Sequence, residues 1–252
     1  MARHSHWAQI KLKKGATDVK RGKIFTRHAR LVEMTARQGG GDAETNPGLR
    51  SAIDNARADN VPRENIDRAI KKGTGQSKDA AIFEEIIYEG FATSGVAVLI
   101  EVLTDNRNRS VQAVRAAITE HGGSLASSGA ASFMFERKGE LHVNPRGEGQ
   151  DSHDADELDI IDSGAHDLVE GEEDFTVFTA PNECAEVRKK LIEKKFTVGA
   201  PRLTFTPTTT VEITDIDTAK KLLLIMDLID AEEEVTNVVA NFVLSDEVAE
   251  LL

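Results

Sequence analysis

Residues 73–104 read GTGQSKDAAIFEEIIYEGFATSGVAVLIEVLT, and within them the period of the apolar positions changes. GTGQSKD, residues 73–79, is polar and glycine-rich and follows no period, which marks a linker. From Phe83 the period is 2. Residues 95–104, GVAVLIEVLT, are β-branched or apolar on both faces apart from Glu101 and read as a central strand. Upstream the period is 3.6, so the chain is expected to place helices before the linker and sheets after it.

Working back from the linker, a helix starting near Pro62 buries Ile66, Ala69 and Ile70 and stops at Gly73 after Lys71 and Lys72. Cations in a last turn suit the helix dipole. Before it, Asn46-Pro47 is an N-cap followed by proline at the first helical position, with Leu49, Ala52, Ile53 and Ala56 at helical spacing. A first helix begins at Thr17 or Asp18. Ile24, His28, Leu31 and Thr35 form one stripe, Phe25, Ala29, Val32 and Ala36 its neighbour, and glycines 39–41 end it. Short connections make these three helices a small bundle.

Working forward, Asp105 or Asn106 caps a helix that buries Val111, Val114 and Ile118 and closes at Gly122-Gly123. ASFMFERKG, residues 131–139, supplies a strand and a turn. Residues 141–143 (LHV), a helix in DADELDIID, strands at 167–170 and 175–179, a helix at 182–194 and a strand at 202–206 then give a βαββαβ order, the split βαβ, ferredoxin-like plan. Thr214 and Asp217 form a capping box before AKKLLLIMDLID, and VTNVVANFVL is a last strand. These last pieces complement the strand, helix and strand that precede Gly139. The expected architecture is therefore an α+β multidomain chain: an all-helical module over residues 1–78, an α+β domain from 79–138 plus 207–252, and an acidic α+β domain, 139–206, inserted in it.

Charge divides along the same boundary. The chain's net charge is −12, yet residues 1–78 carry 17 Lys+Arg against 8 Asp+Glu, so they hold +9 and the remainder −21. The only tryptophan, Trp7, stands at the head of a run of cations: Lys11, Lys13, Lys14, Lys20, Arg21, Lys23, Arg27 and Arg30. In the first helix these cations fall largely off the apolar stripe, with their heads left for water or a ligand. A basic module on an acidic body is the pattern of a part that meets a polyanion, and these residues with Trp7 are the candidate nucleic-acid contacts. The alternative is a lysine-rich solvated face with no partner. Arg107 and Arg109 could grip phosphate at a helix start or pair with nearby carboxylates.

HSHWAQIKLKK, DVKRGKIFTRHARLVEMTARQGGGD and NPGLRSAIDNARADNVPRENIDRAIKKGTG, followed by YEGFATSGVAVLIEVLTDNRNRS and GGSLASSGAASFMF, together resemble the YebC/PmpR family across effectively the whole chain. Arg3 and His6 stand where that family commonly has Gly and Lys. The resemblance implies a three-domain plan with two α+β domains of related build. It also implies a regulator of transcription acting on DNA, with a mitochondrial relative that activates translation of cytochrome c oxidase.

Other chemistries find little footing. No Walker loop, GxGxxG after a strand, HExxH or GxSxG is present, so no enzyme, cofactor or small-molecule substrate is expected. Residues 148–174 hold twelve Asp+Glu and no Lys or Arg, but the alternation of a calcium loop is broken and the run reads as a solvated acidic surface. With one cysteine, Cys184, no internal disulfide or multi-cysteine zinc site can form. If Met1 is removed, the free amine, two amides and His4 could make a nitrogen site for Cu(II) or Ni(II), read here as incidental, and no metal site is assigned. No apolar run approaches a membrane span and no secretory signal opens the chain, so a cytoplasmic protein without membrane contact is expected. The function expected is a DNA-binding transcriptional regulator. The alternative is a ribosome-associated translation factor touching ribosomal RNA.

Overall fold

The computed structural model describes residues 18–75, 82–147, 150–171 and 174–252, with the backbone alone for 18–21 and 150–152. Its helical part is α1 (Asp18–Gly39), α2 (Pro47–Ala58) and α3 (Arg63–Gly73). Asn46 builds the first corner. Its Oδ1 accepts from Leu49 N at 3.0 Å, while Nδ2 donates to Thr35 O at 2.8 Å and Gly40 O at 2.9 Å, so one side chain caps α2 and closes the end of α1. Val32, Ala36, Leu49, Ile53 and Ile66 meet in the centre of the bundle. At Gly73 the last turn of α3 crosses α1 so closely that a Cβ would lie 2.3 Å from Glu33 O and 2.8 Å from Ala36 Cβ. Only glycine permits that approach.

The first sheet runs β10-β2-β1-β3, where β1 is Glu84–Phe91, β2 Ala97–Thr104, β3 Ser124–Leu125 and β10 Val235–Ala240. β1 and β2 form a hairpin in register from Glu84↔Thr104 to Phe91↔Ala97, and β10 pairs antiparallel with β2 on its other side. β2 is thus central. Its apolar run is continuous because both faces are covered. Val98, Ile100 and Val102 face helices α4 (Arg107–Thr119) and α7 (Ile216–Ala231), whereas Ala97 and Leu99 pack with Ala131, Phe135 and Val239 on the far side.

The second sheet runs β5-β6-β4, with β7 and β8 both paired to the other side of β4. Its strands are β4 (Phe135–Asn144), β5 (Asp167–Glu170), β6 (Phe175–Thr179), β7 (Thr197–Val198) and β8 (Arg202–Pro207), with α5 (Gln150–Asp162) and α6 (Cys184–Glu193) packed on one face. The whole is the expected split βαβ arrangement, and it sits between α4 and the final elements β9 (Val211–Ile213), α7, β10, β11 (Phe242–Leu244) and α8 (Asp246–Ala249). The helical region followed by two sheet-bearing α+β parts, one inserted in the other, is the expected fold class.

Three local expectations are corrected. Residues 131–139 do not give the first sheet a strand and a turn. After a 3-10 turn at Ser132–Met134, β4 runs unbroken through Gly139, and Phe135–Glu140 pairs residue by residue with Pro207–Arg202 of β8. Gly139 serves packing: a Cβ there would lie 2.5 Å from Thr179 Oγ1 and 2.7 Å from Cys184 Cβ, because the start of α6 rests on the strand. Second, α7 is capped by Asp215, whose carboxylate accepts from Thr218 N at 2.8 Å, instead of by Thr214. Third, VTNVVANFVL is two strands divided at Asn241. This buried residue accepts from Ala97 N at 2.8 Å through Oδ1 and donates to Thr209 O at 3.2 Å, tying three segments together. β11 then pairs in parallel with β9.

Candidate nucleic-acid interface

The candidate contacts lie on and before α1. Trp7, Lys11, Lys13 and Lys14, and His4 of the candidate metal site, are outside the described residues. Lys20 and Arg21 fall on the first turn of α1, where only the backbone is described. Lys23, Arg27 and Arg30 are described. They follow one another along one side of the helix, each half-buried, and the Lys23 Nζ is closed off from solvent, so its head is not left for water or a ligand as expected.

Arg27 and Arg30 turn toward the body. Arg27 Nη1 donates to Thr236 O on β10 at 2.7 Å. Arg30 Nη2 lies 2.5 Å from Glu233 Oε1 in the turn between α7 and β10, Nη1 donates to Glu233 O at 3.3 Å, and the guanidinium stands 5.8 Å from the Phe83 ring centroid. These two arginines dock the helical module, and the sequence, which located them correctly off the apolar stripe, gave no sign of that destination. His28, one residue beyond Arg27, is buried with Nε2 2.5 Å from Asp59 Oδ2, the C-cap of α2. Arg202 of β8 donates to the same oxygen at 3.0 Å. One carboxylate therefore joins the helical module to the second sheet.

Electrostatics follow from that packing. Burial, then the Arg202 charge, lowers the Arg27 pKa, and Asp59, Asp230 and Glu101 oppose the shift. Burial pushes the Asp59 carboxyl up, but the His28 hydrogen bond and the Arg202 and Arg27 charges outweigh it and hold Asp59 below the usual carboxylate range. Glu101, the single charge in the central strand, is raised by burial against a hydrogen bond from Asn237 Nδ2 at 2.9 Å. The seam is a polar network. The apolar cluster of the helical module holds no residue beyond Ile70.

Cations with their side chains in water stand on the outer face of the module instead. Arg57 and Arg63 flank the α2–α3 corner with side chains 67% and 90% exposed, and Arg68 and Lys71 are exposed farther along α3. They are the helical complement of the buried Ile66 and Ala69, a signal that the sequence carries but that the density of the earlier run obscured. Arg107 and Arg109 pair with carboxylates: Arg107 Nε is 3.2 Å from Glu84 Oε1, and Arg109 is 2.5 Å from Asp105 Oδ1 and also meets Glu234. Cys184 is buried, and burial raises its thiol pKa, which leaves it poor in thiolate. Among the described residues no three His, Cys, Asp or Glu side chains gather closely enough to hold a metal ion.

With this geometry in view, comparison with known proteins is informative. Residues 5–76 match the family model described as the TACO1/YebC protein N-terminal domain, and residues 83–242 match that of the TACO1/YebC second and third domain. A protein of Persephonella marina named "Probable transcriptional regulatory protein" is 43% identical over 253 residues, covering 99% of both chains. One of the same name from Thermotoga maritima is 44% identical over 255 residues, covering 100% of this chain and 98% of its own. The crystal structure of a conserved hypothetical protein from Aquifex aeolicus superposes with a TM-score of 0.86 at 42% identity, over 97% of this chain and 99% of that one.

Proposed function

The chain belongs to the TACO1/YebC family, and from that footing we propose that it is a cytoplasmic, non-enzymatic regulator of gene expression that binds duplex DNA through its basic helical module. The observation that carries this reading is the division of charge, +9 in residues 1–78 against −21 in the rest. Relatives named as probable transcriptional regulatory proteins support it. We divide the chain into the helical module, residues 1–78, an outer α+β domain and an inserted acidic one. The β4–β8 ladder favours Phe135 and Pro207 as the seams of the insert over residues 139 and 206.

In this reading Lys11, Lys13, Lys14, Lys20 and Arg21 meet phosphate, together with Trp7, which heads that run in the sequence, whereas Lys23, with its Nζ buried, leaves the contact set. Arg27 and Arg30 act one step back by holding α1 against the body. The module's only aromatics are Trp7 and Phe25, and Phe25 packs against the helical core. A platform of several stacked bases is therefore unavailable to it, and recognition runs through phosphate and duplex shape. No small-molecule substrate or cofactor enters, and among the described residues no helix is long and apolar enough to cross a membrane.

Phosphate and shape are also offered by a folded ribosomal-RNA helix, and that property favours a second reading as a ribosome-associated translation factor. Titrating the full chain, at one salt concentration, with duplex DNA and with a ribosomal-RNA helix of equal phosphate count separates the two. Tighter binding to DNA is expected. Preference for the RNA helix would move the function to translation, and binding to neither would sink both.

A further inference from the structure

Of the ten phenylalanines in the chain, Phe133 alone is exposed, at 70%. A single exposed apolar side chain is ordinary on a protein surface. The mounting of this one is not. Phe133 sits in the 3-10 turn Ser132–Met134, between the buried Ala131 and Phe135. The loop that leads to it is fastened by Glu89 of β1, whose buried carboxylate accepts from Gly129 N at 2.7 Å, Ala131 N at 2.6 Å and Ser132 N at 2.8 Å. On the other side Thr208 N donates to Met134 O at 2.8 Å, which draws the 207–210 loop alongside. An aromatic ring is thus held in solvent on a rigid support.

The two chain segments on which the ring is mounted are uncharged. Residues 122–135, GGSLASSGAASFMF, contain no charged side chain, and neither do residues 203–211, LTFTPTTTV, in a chain whose net charge is −12. What the two loops expose beside the ring is hydroxyl: Ser127, Ser128, Thr208, Thr209 and Thr210. A polyanion meets less repulsion over these segments than over the rest of the acidic body, with the exposed Glu136 and Glu212 only at their ends. A ring offers a π-face that any base can stack on, and hydroxyls can donate to or accept from base edges. A protein-docking anchor would instead be expected within a contiguous apolar patch.

We propose that the loop of residues 126–134 is a second nucleic-acid contact, in which Phe133 stacks on an unpaired base next to the duplex that the helical module holds. This rests on the nucleic-acid reading above. It gives the protein a way to tell a duplex end, bulge or opened junction from continuous duplex, which phosphate contacts alone do not supply.

The test compares a blunt duplex with a duplex of equal phosphate count that carries an unpaired extension. The wild-type chain should bind the extended form on the order of tenfold more tightly, as expected for one stacked base. Phe133→Ala should abolish that preference while blunt-duplex affinity and melting temperature stay unchanged, because the side chain is exposed. Phe133→Tyr should keep the preference and Phe133→Leu should lose it, since leucine is apolar but has no π-face. A preference that survives Phe133→Leu would overturn stacking in favour of apolar docking. Wild-type binding to the blunt duplex without any preference for the extension would overturn this inference alone, and no binding to either would remove the underlying reading with it.

Discussion

Glu89 shows how much a single residue can be asked to hold. Burial pushes its carboxyl up, but the backbone N–H groups of Gly129, Ala131 and Ser132 reverse the shift and hold it below the usual carboxylate range. Because the folded pKa is depressed, the stability it contributes is present above the unfolded value near ~4.3 and is lost as pH falls through the lower folded value. Glu89→Gln sets an amide NH2 against N–H donors and should cost about 1–3 kcal/mol at neutral pH. Urea midpoints should show that deficit at pH 7 and a much smaller one near pH 3, and an equal deficit at both would show that charge is not what matters. Glu89 was legible only as one polar position in an alternating strand, since its partners lie on a loop some forty residues onward. Gly139 was misread for a related reason: Lys-Gly resembles a turn locally, and the approach of Cys184 that requires glycine is a tertiary fact.

Elements whose signals are local were read correctly. The buried set of α2, Leu49, Ala52, Ile53 and Ala56, and its Asn46 cap emerge from spacing alone. Strands β5 and β6 fall at the expected residues because each is short, alternating or apolar, and bounded by turn formers. Where two neighbours compete the reading failed, as with Thr214 and Asp215 for one cap, or with a strand pattern that ran through Asn241 without sign of a break. The insert makes a claim of its own. Its core, which includes Leu141, Ile160, Phe175, Val177 and Leu191, is drawn entirely from between Phe135 and Pro207. That stretch expressed alone should melt in one cooperative transition, and a broad non-cooperative melt would refute its independence. His142 adds a signature. Asp174 Oδ2 at 3.1 Å and Glu140 Oε1 at 3.4 Å raise its pKa to about 9. Its contribution is therefore complete below the unfolded value near ~6.5 and fades as pH rises through the folded one, so the insert should melt lower at pH 10 than at pH 6.

Along the sequence the molecule divides into a basic module and an acidic body, and the two meet at a polar seam. Its helical module keeps its apolar core to itself and meets the body through Arg27, Arg30 and the Asp59–Arg202 pair, a junction of the kind that permits relative motion of domains. The basic run was visible in the sequence as soon as charge was counted. Its division into cations that dock and cations left for a ligand was not, because docking depends on where β10 and its preceding turn arrive in space. The central claim is that the cations from Lys11 to Arg21 bind phosphate, and the salt dependence of binding measures this most directly. For on the order of five phosphate contacts, the affinity of the full chain for duplex DNA should fall roughly two to three decades between about 50 and 200 mM salt. Reversing Lys11, Lys13, Lys14, Lys20 and Arg21 to glutamate should weaken binding and flatten that slope while the melting temperature holds. A reversed protein that binds as tightly, with the same slope, would contradict the account.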